Sequence, residues 1–228
     1  MALLDSDCLV TRSLDELDDA VRRHGRAFYA VPFPAEAEVN GLSRTDLAEL
    51  AREFAPGSAV AGVDYLGGEF FAFRSDLLEG DLDRFDEAFA WTLDRAGRGL
   101  LHAKEEAQLI SLALAPLLTG AELLSGTVRR IWTQPWQLRN AVPGDRELAV
   151  WHVPAEKRTG LRRVHRAYLR PGSWFWTTTQ PEWLDRVGRR VGVPAYRTGK
   201  ALADAWALAP RAVPGIRRRL AIRGPVYG

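Results

Sequence analysis

The chain has 228 residues, 46% hydrophobic and 26% charged, with a formal net charge of +2. That length and composition suit one globular domain, or one with a small appendage, and exclude collagen, coiled coil and wholesale disorder. No apolar run approaches the roughly 20 residues of a membrane span; the opening MALLDSDCLV lacks a basic secretory start, and the single cysteine, Cys8, fits a reducing, cytoplasmic compartment.

In chain order, Ala2–Leu4 is a short apolar run stopped by Asp5 and is expected as a buried parallel strand. Ser13 and Glu16 have capping-box spacing and predict a helix toward Arg23, closed by His24 and Gly25. Ala27–Val31 reads as a strand broken by Pro32 and Pro34, and Ser43 with Asp46 opens a second helix to about Phe54. Val60–Phe73 is strand-like on both sides of Gly67–Gly68, where paired glycines mark a bulge or a close approach to the backbone. Leu82, Phe85, Phe89 and Leu93 follow helical spacing up to Gly97 and Gly99, and Lys104–Leu118 predicts a further amphipathic helix. Val128–Thr133 and Leu148–Val153 read as strands, and the pattern after Pro154 is helical and basic, interrupted near Pro171–Gly172. Strands interleaved with helices give an α/β class.

Charge is uneven. Met1–Glu156 carries 15 basic against 26 acidic residues, and Lys157–Gly228 carries 16 against 3. A basic final third with the Arg217–Arg219 cluster suits peripheral contact with an anionic membrane, or simply a solvated helical face. No nucleic-acid signature accompanies it, so no specific nucleic acid is expected.

Four constellations can carry chemistry. Asp5 and Asp7 place two hard oxygen donors after a strand, which suits Mg²⁺ or Mn²⁺; a turn with Asx hydrogen bonds explains the same residues. Gly67, Gly68 and Glu69 combine backbone access with a lone acid in an apolar run, where a plain strand bulge is the alternative. Glu105 and Glu106 open a helix, which the macrodipole favours by itself, or point a carboxylate at a sugar's anomeric carbon. His152 ends a strand, as a neutral imidazole ligand does, and Lys157 follows as a point charge for phosphate.

The order of these four resembles the GT-A class of nucleotide-sugar glycosyltransferases. Leu3-Leu4-Asp5-Ser6-Asp7-Cys8-Leu9-Val10 with Leu14-Asp15-Glu16-Leu17 looks like that family's strand, metal-binding D-x-D and following short helix. Tyr65–Phe71 is similar to the acceptor-side Gly-Gly strand of blood-group-type transferases, and Lys104-Glu105-Glu106 to their acidic helix start. His152 and Lys157 are similar to the late His and Lys of glycogenin-like transferases, with spacing one residue shorter and Pro154 and Ala155 where the family has Gly. The resemblance implies a mixed sheet flanked by helices over residues 1–157, followed by a basic, Trp-containing helical extension over 158–228. It also implies metal-dependent transfer of a sugar from a nucleotide-sugar donor to an acceptor. Asp5, Asp7 and His152 would hold Mn²⁺ or Mg²⁺, Gly67, Gly68, Glu69 and Lys157 would bind substrate, and Glu106 or Glu105 would act at the anomeric centre.

The beginning departs from the pattern, because only Met1–Leu4 precede Asp5 where the family has several strands. The expectation is therefore an N-terminally truncated donor domain with exposed apolar surface beside Ala2–Leu4 and weak or absent catalysis. The alternatives are a non-catalytic binding protein of the same fold, and a membrane or nucleic-acid binder acting through the basic tail.

Overall fold

A computed structural model of the protein describes residues 1–56, 63–117, 122–124, 126–136 and 139–208. Arg217–Arg219, Leu118 and the first part of the 60–73 stretch lie outside the described residues. The class is mixed α/β with two small sheets. Two compact units divide the chain: Met1–Arg130 with Leu148–His152, and Ile131–Glu147 with Val153–Gly228. The chain thus passes between the units at 130, 147 and 152, whereas the sequence places one boundary at 157.

In the first unit, strand β4 (Leu66–Phe73) is the centre of a four-stranded sheet. Strands β1 (Ala2–Leu4) and β3 (Arg26–Ala30) run antiparallel on either side of it, and β5 (Glu122–Leu123) lies parallel to β3. A strand covered on both faces is apolar throughout instead of alternating, which is how Leu66 and Phe70–Phe73 read. Phe28 lies opposite Phe71 while Ala30 lies opposite Leu66, so β4 holds extra residues at Gly67–Phe70. The bulge anticipated at the paired glycines is present.

Helices α1 (Asp15–His24), α2 (Arg44–Phe54), α3 (Leu78–Gly97) and α4 (Glu106–Leu114) complete this unit. Leu17 and Ala20 of α1, Leu47 and Leu50 of α2, and Leu112 of α4 join Phe70 and Ala72 in one core. Phe28 meets Phe71 and Phe73 edge-on at 6.3 and 5.7 Å on the other side of the sheet. Gly25 closes α1 at φ 78°, the left-handed conformation that favours glycine. A second sheet has the order β2 (Cys8–Val10), β7 (Val150–His152), β6 (Val128–Arg130), antiparallel then parallel.

Several expectations need correction. Ala2–Leu4 is an antiparallel edge strand, exposed along its length, because only β4 pairs with it; the apolar exposure anticipated beside it is present at Leu3 and Leu4. Ser13 and Glu16 form no capping box, since α1 starts at Asp15 and the Ser13 hydroxyl accepts from the Asp15 N–H at 3.3 Å instead of from the Glu16 N–H. The helix read from Leu82, Phe85, Phe89 and Leu93 is present as α3, on which Leu82, Phe89 and Leu93 lie more than half exposed while Leu78, Asp81, Phe85, Ala88 and Thr92 face inward. Inward-facing Asp81 has the partner that a buried acid needs: Arg26 on β3 binds its carboxylate at 2.7–3.2 Å.

The second unit is helical: α5 (Gly160–Tyr168), α6 (Trp174–Thr177), α7 (Gln180–Val191) and a helical segment over 198–208. Val164 and Ala167 of α5 and Val187 and Val191 of α7 are buried. Pro181 starts α7, Arg189 and Arg190 occupy its last turn, and Gly192 caps it at φ 85°. Trp174 and Trp176 lie on the one-turn α6, at whose start the Ser173 hydroxyl accepts from the Phe175 N–H. Among the described residues no helix is long and apolar enough to cross a membrane.

Candidate metal centre

The centre is built where β1 ends. Asp5-Ser6-Asp7 is a tight turn closed by the Cys8 N–H donating to the Asp5 carbonyl at 3.0 Å, with the Ser6 N–H on Asp5 Oδ1 at 2.6 Å. The turn weighed for this motif is therefore present, but its closing bond is backbone to backbone, and the Asp5 carboxylate accepts from the adjacent Ser6 instead of from the N–H two residues on that an Asx turn uses. It does not compete with ligand duty, because each carboxylate keeps further lone pairs. The Asp5 N–H donates to the Glu69 carbonyl at 3.0 Å, tying the turn to β4.

Strand pairing supplies the third candidate ligand. Cys8 lies opposite His152 across β2 and β7, so His152 stands beside Asp7 despite their separation in sequence. A register slip of one residue would turn His152 to the other face. His152 Nε2 lies 3.3 Å from Asp7 Oδ1 and 3.8 Å from Asp5 Oδ2, while Nδ1 lies 3.3 Å from Glu69 Oε1. Asp7 and Glu69 are almost fully buried, His152 nearly so, and Asp5 is exposed.

Donor atoms of Asp5, Asp7 and His152 all lie within 4.8 Å of one another. An octahedral cation bound at about 2.1 Å puts adjacent donors about 3 Å and opposite donors about 4 Å apart, so the spacing fits a small divalent ion after minor adjustment. The electrostatics point the same way. With the ring proton on Nδ1, toward Glu69 Oε1, Nε2 presents a lone pair to two carboxylates, an arrangement that a cation between them relieves. Two carboxylates and one imidazole suit Mn²⁺.

Glu69 sits behind the imidazole, as carboxylates orient metal-bound histidines elsewhere. Arg130 of β6, in register with His152, grips it with Nε to Oε1 at 2.9 Å and Nη2 to Oε2 at 2.7 Å. Burial alone would raise the Glu69 carboxyl, but His152 and Arg130 outweigh it and hold the group below its ordinary value. The Cys8 thiol beside them is pushed up to about 12, first by burial and then by Asp7, Glu69 and Asp5. Cys8 is therefore a neutral neighbour of the centre.

The two glycines of β4 have different reasons. A Cβ at Gly67 would lie 2.2 Å from Glu69 Oε2 and 2.5 Å from its Cδ, so the Glu69 carboxylate occupies the space a side chain would need. A Cβ at Gly68 would lie 3.4 Å from Glu106 Oε1, an ordinary contact. Glu106 is exposed beside Gly68, whereas Glu105 stands at the N-cap position of α4 and its carboxylate accepts from Tyr65 Oη and Asn40 Nδ2. Neither belongs to the group of metal-spaced ligands. Lys157 is exposed and lies in the second unit.

Sequence reasoning missed Arg130 and Tyr29, whose hydroxyl accepts from the Arg130 N–H at 3.1 Å. The signal for Arg130 was the adjacent Arg129–Arg130 pair at the end of a strand in the acidic part of the chain. Comparisons with protein-family models, with curated proteins and with solved structures find no match to this chain.

Proposed function

We propose that the protein is a metal-dependent glycosyltransferase that takes a nucleotide sugar as donor. The observation that supports this reading is the meeting of Asp5 and Asp7 with the distant His152, the three residues the sequence resemblance names as metal ligands. Glu69 and Arg130 position the imidazole, and Glu106 lies exposed beside Gly68, where backbone access suits a sugar hydroxyl. A divalent cation held there would neutralise the negative charge of a departing diphosphate. Glu105, already engaged by Tyr65 and Asn40, serves to hold the start of α4 in place.

The test is direct. Nucleoside diphosphate binding, followed by calorimetry with and without Mn²⁺, is expected only with the metal. Asp7→Ala should weaken Mn²⁺ binding at least a hundredfold and abolish nucleotide binding with it. Release of nucleoside diphosphate from a panel of nucleotide sugars then measures turnover. Metal binding without any metal-dependent nucleotide affinity would leave the centre standing and sink the transferase reading.

A further inference from the structure

The second unit carries a cationic groove that the metal centre does not use. Arg158 in the turn before α5, and Arg162 and Arg166 one turn apart on α5, line one side of it. Leu202 and Trp206, one turn apart on the 198–208 segment, line the other. Arg158, Arg162 and Arg166 are exposed, and among the described residues no carboxylate or other acceptor partners any of them. Arg163, also on the groove, has its Nη1 without a hydrogen-bond acceptor among the described residues. Leu202 is 69% exposed and Trp206 83%, the most exposed large apolar side chains described.

The groove is a built feature. Beneath it Lys200 Nζ donates to Glu156 Oε2 at 2.8 Å and to Asp204 Oδ2 at 2.5 Å, and Arg163 Nη2 donates to Asp204 Oδ1 at 2.7 Å. Thr133, Thr159 and the Gly160 N–H supply the remaining donors to Glu156. Lys200, Glu156 and Asp204 are buried and fully engaged, so they hold the 198–208 segment against α5. That places an apolar pair opposite a row of unmatched arginines.

We infer that this groove is a peripheral docking surface for an anionic membrane, with Arg158, Arg162 and Arg166 on lipid phosphates and Trp206 and Leu202 seated at the headgroup level. Arginine donates in a fork that matches phosphate oxygens. Tryptophan favours the membrane–water interface, and leucine gains by leaving water. A nucleic acid would take the arginines and stack on Trp206, but it would leave Leu202 in water. Where α5 ends, Tyr168, Leu169 and Trp176 add further exposed apolar surface.

The experiment is co-sedimentation of the full chain with phosphatidylcholine vesicles, with and without phosphatidylglycerol, at several salt concentrations. Binding is expected only to the anionic vesicles and should fall as salt rises. Each surface arginine contributes about fivefold, so the Arg158→Gln, Arg162→Gln, Arg166→Gln triple variant should lose about a hundredfold in affinity. Trp206→Ala should lose several-fold while keeping every charge. Unchanged circular dichroism and melting temperature will show that both variants fold. The inference fails if the wild-type chain ignores anionic vesicles. It fails too if the triple variant binds them normally while neutralising Arg217–Arg219 abolishes binding, because the tail would then be the anchor. Loss of affinity for a single-stranded oligonucleotide or for inorganic phosphate in the triple variant, with no vesicle binding at any stage, assigns the groove to those anions instead.

Discussion

Gly67 shows how one missing side chain serves a buried network. The Glu69 carboxylate occupies the volume above Gly67, where Arg130 and His152 meet it. Gly67→Ala should therefore force Glu69 off Arg130 and destabilise the fold by about 3–5 kcal/mol, the cost of a buried charged group deprived of its partner. Gly68→Ala meets only an ordinary contact at 3.4 Å and reduces the freedom of the unfolded chain, so it should be neutral or stabilising by up to about 1 kcal/mol. Urea unfolding midpoints of the two variants, compared side by side, separate these outcomes. Equal effects would mean that the glycines share one purely backbone role.

At the scale of the element, two capping-box signals of the same spacing had different fates. Ser43 and Asp46 form the full box on α2, with the Asp46 N–H on Ser43 Oγ at 3.1 Å and the Ser43 N–H on Asp46 Oδ2 at 2.7 Å. Ser13 and Glu16 do not, because α1 begins a residue too late. Ser43→Ala should cost about 1 kcal/mol, and Ser13→Ala much less. The Ser43 N–H and hydroxyl lower the Asp46 carboxyl. A depressed folded value contributes stability above the unfolded carboxylate range, lost as pH falls through the folded value. The wild-type advantage over Ser43→Ala should accordingly be full at neutral pH and shrink below about pH 4. Denaturant unfolding at both pH values reads this out, and a gap that widened in acid would refute it.

Across the whole molecule, each unit holds a buried charged cluster within itself. In the first, a bound divalent ion should stabilise by mass action, about 2.7 kcal/mol at a hundred times its dissociation constant. For a chain of this size that is a rise of roughly 5–10 °C in melting temperature with Mn²⁺. Chelation should reverse it and Asp7→Ala should abolish it; differential scanning calorimetry is the measurement. In the second unit, Lys200 lies buried between Glu156 and Asp204. Lys200→Met leaves two buried carboxylates short of a cation and should cost about 3–5 kcal/mol. Amide exchange should then accelerate in α5 and α7, and unaltered exchange there would show that Arg163 and the threonines suffice.

Much of this was legible from residues alone, for reasons of range. Capping at Ser43, the glycine stop at Gly25 and the start of α4 at Glu106 are settled within one helical turn, where backbone donors and nearby side chains meet regardless of the rest. Asp5 and Asp7 were readable as candidate metal donors because their spacing is local, and His152 because it ends a strand. The inward face of α3 was not readable. Its apolar spacing marks a helix without showing that Asp81 faces inward to Arg26 of β3 while Leu82 and Phe89 stay more than half exposed. Arg130 was equally hidden, since nothing near it in sequence says that Glu69 is its partner.

The sequence by itself determined the element types, the charge asymmetry and the residues able to bind a metal, because propensity and chemistry belong to single side chains and short spacings. Only the tertiary structure decided that Cys8 pairs with His152, which sets an imidazole against two carboxylates. It also decided that Glu69 turns to Arg130 and that Arg158, Arg162 and Arg166 face Trp206. Those choices rest on satisfying buried backbone and charged groups across long stretches of chain, a requirement that exists only once the strands and helices have packed.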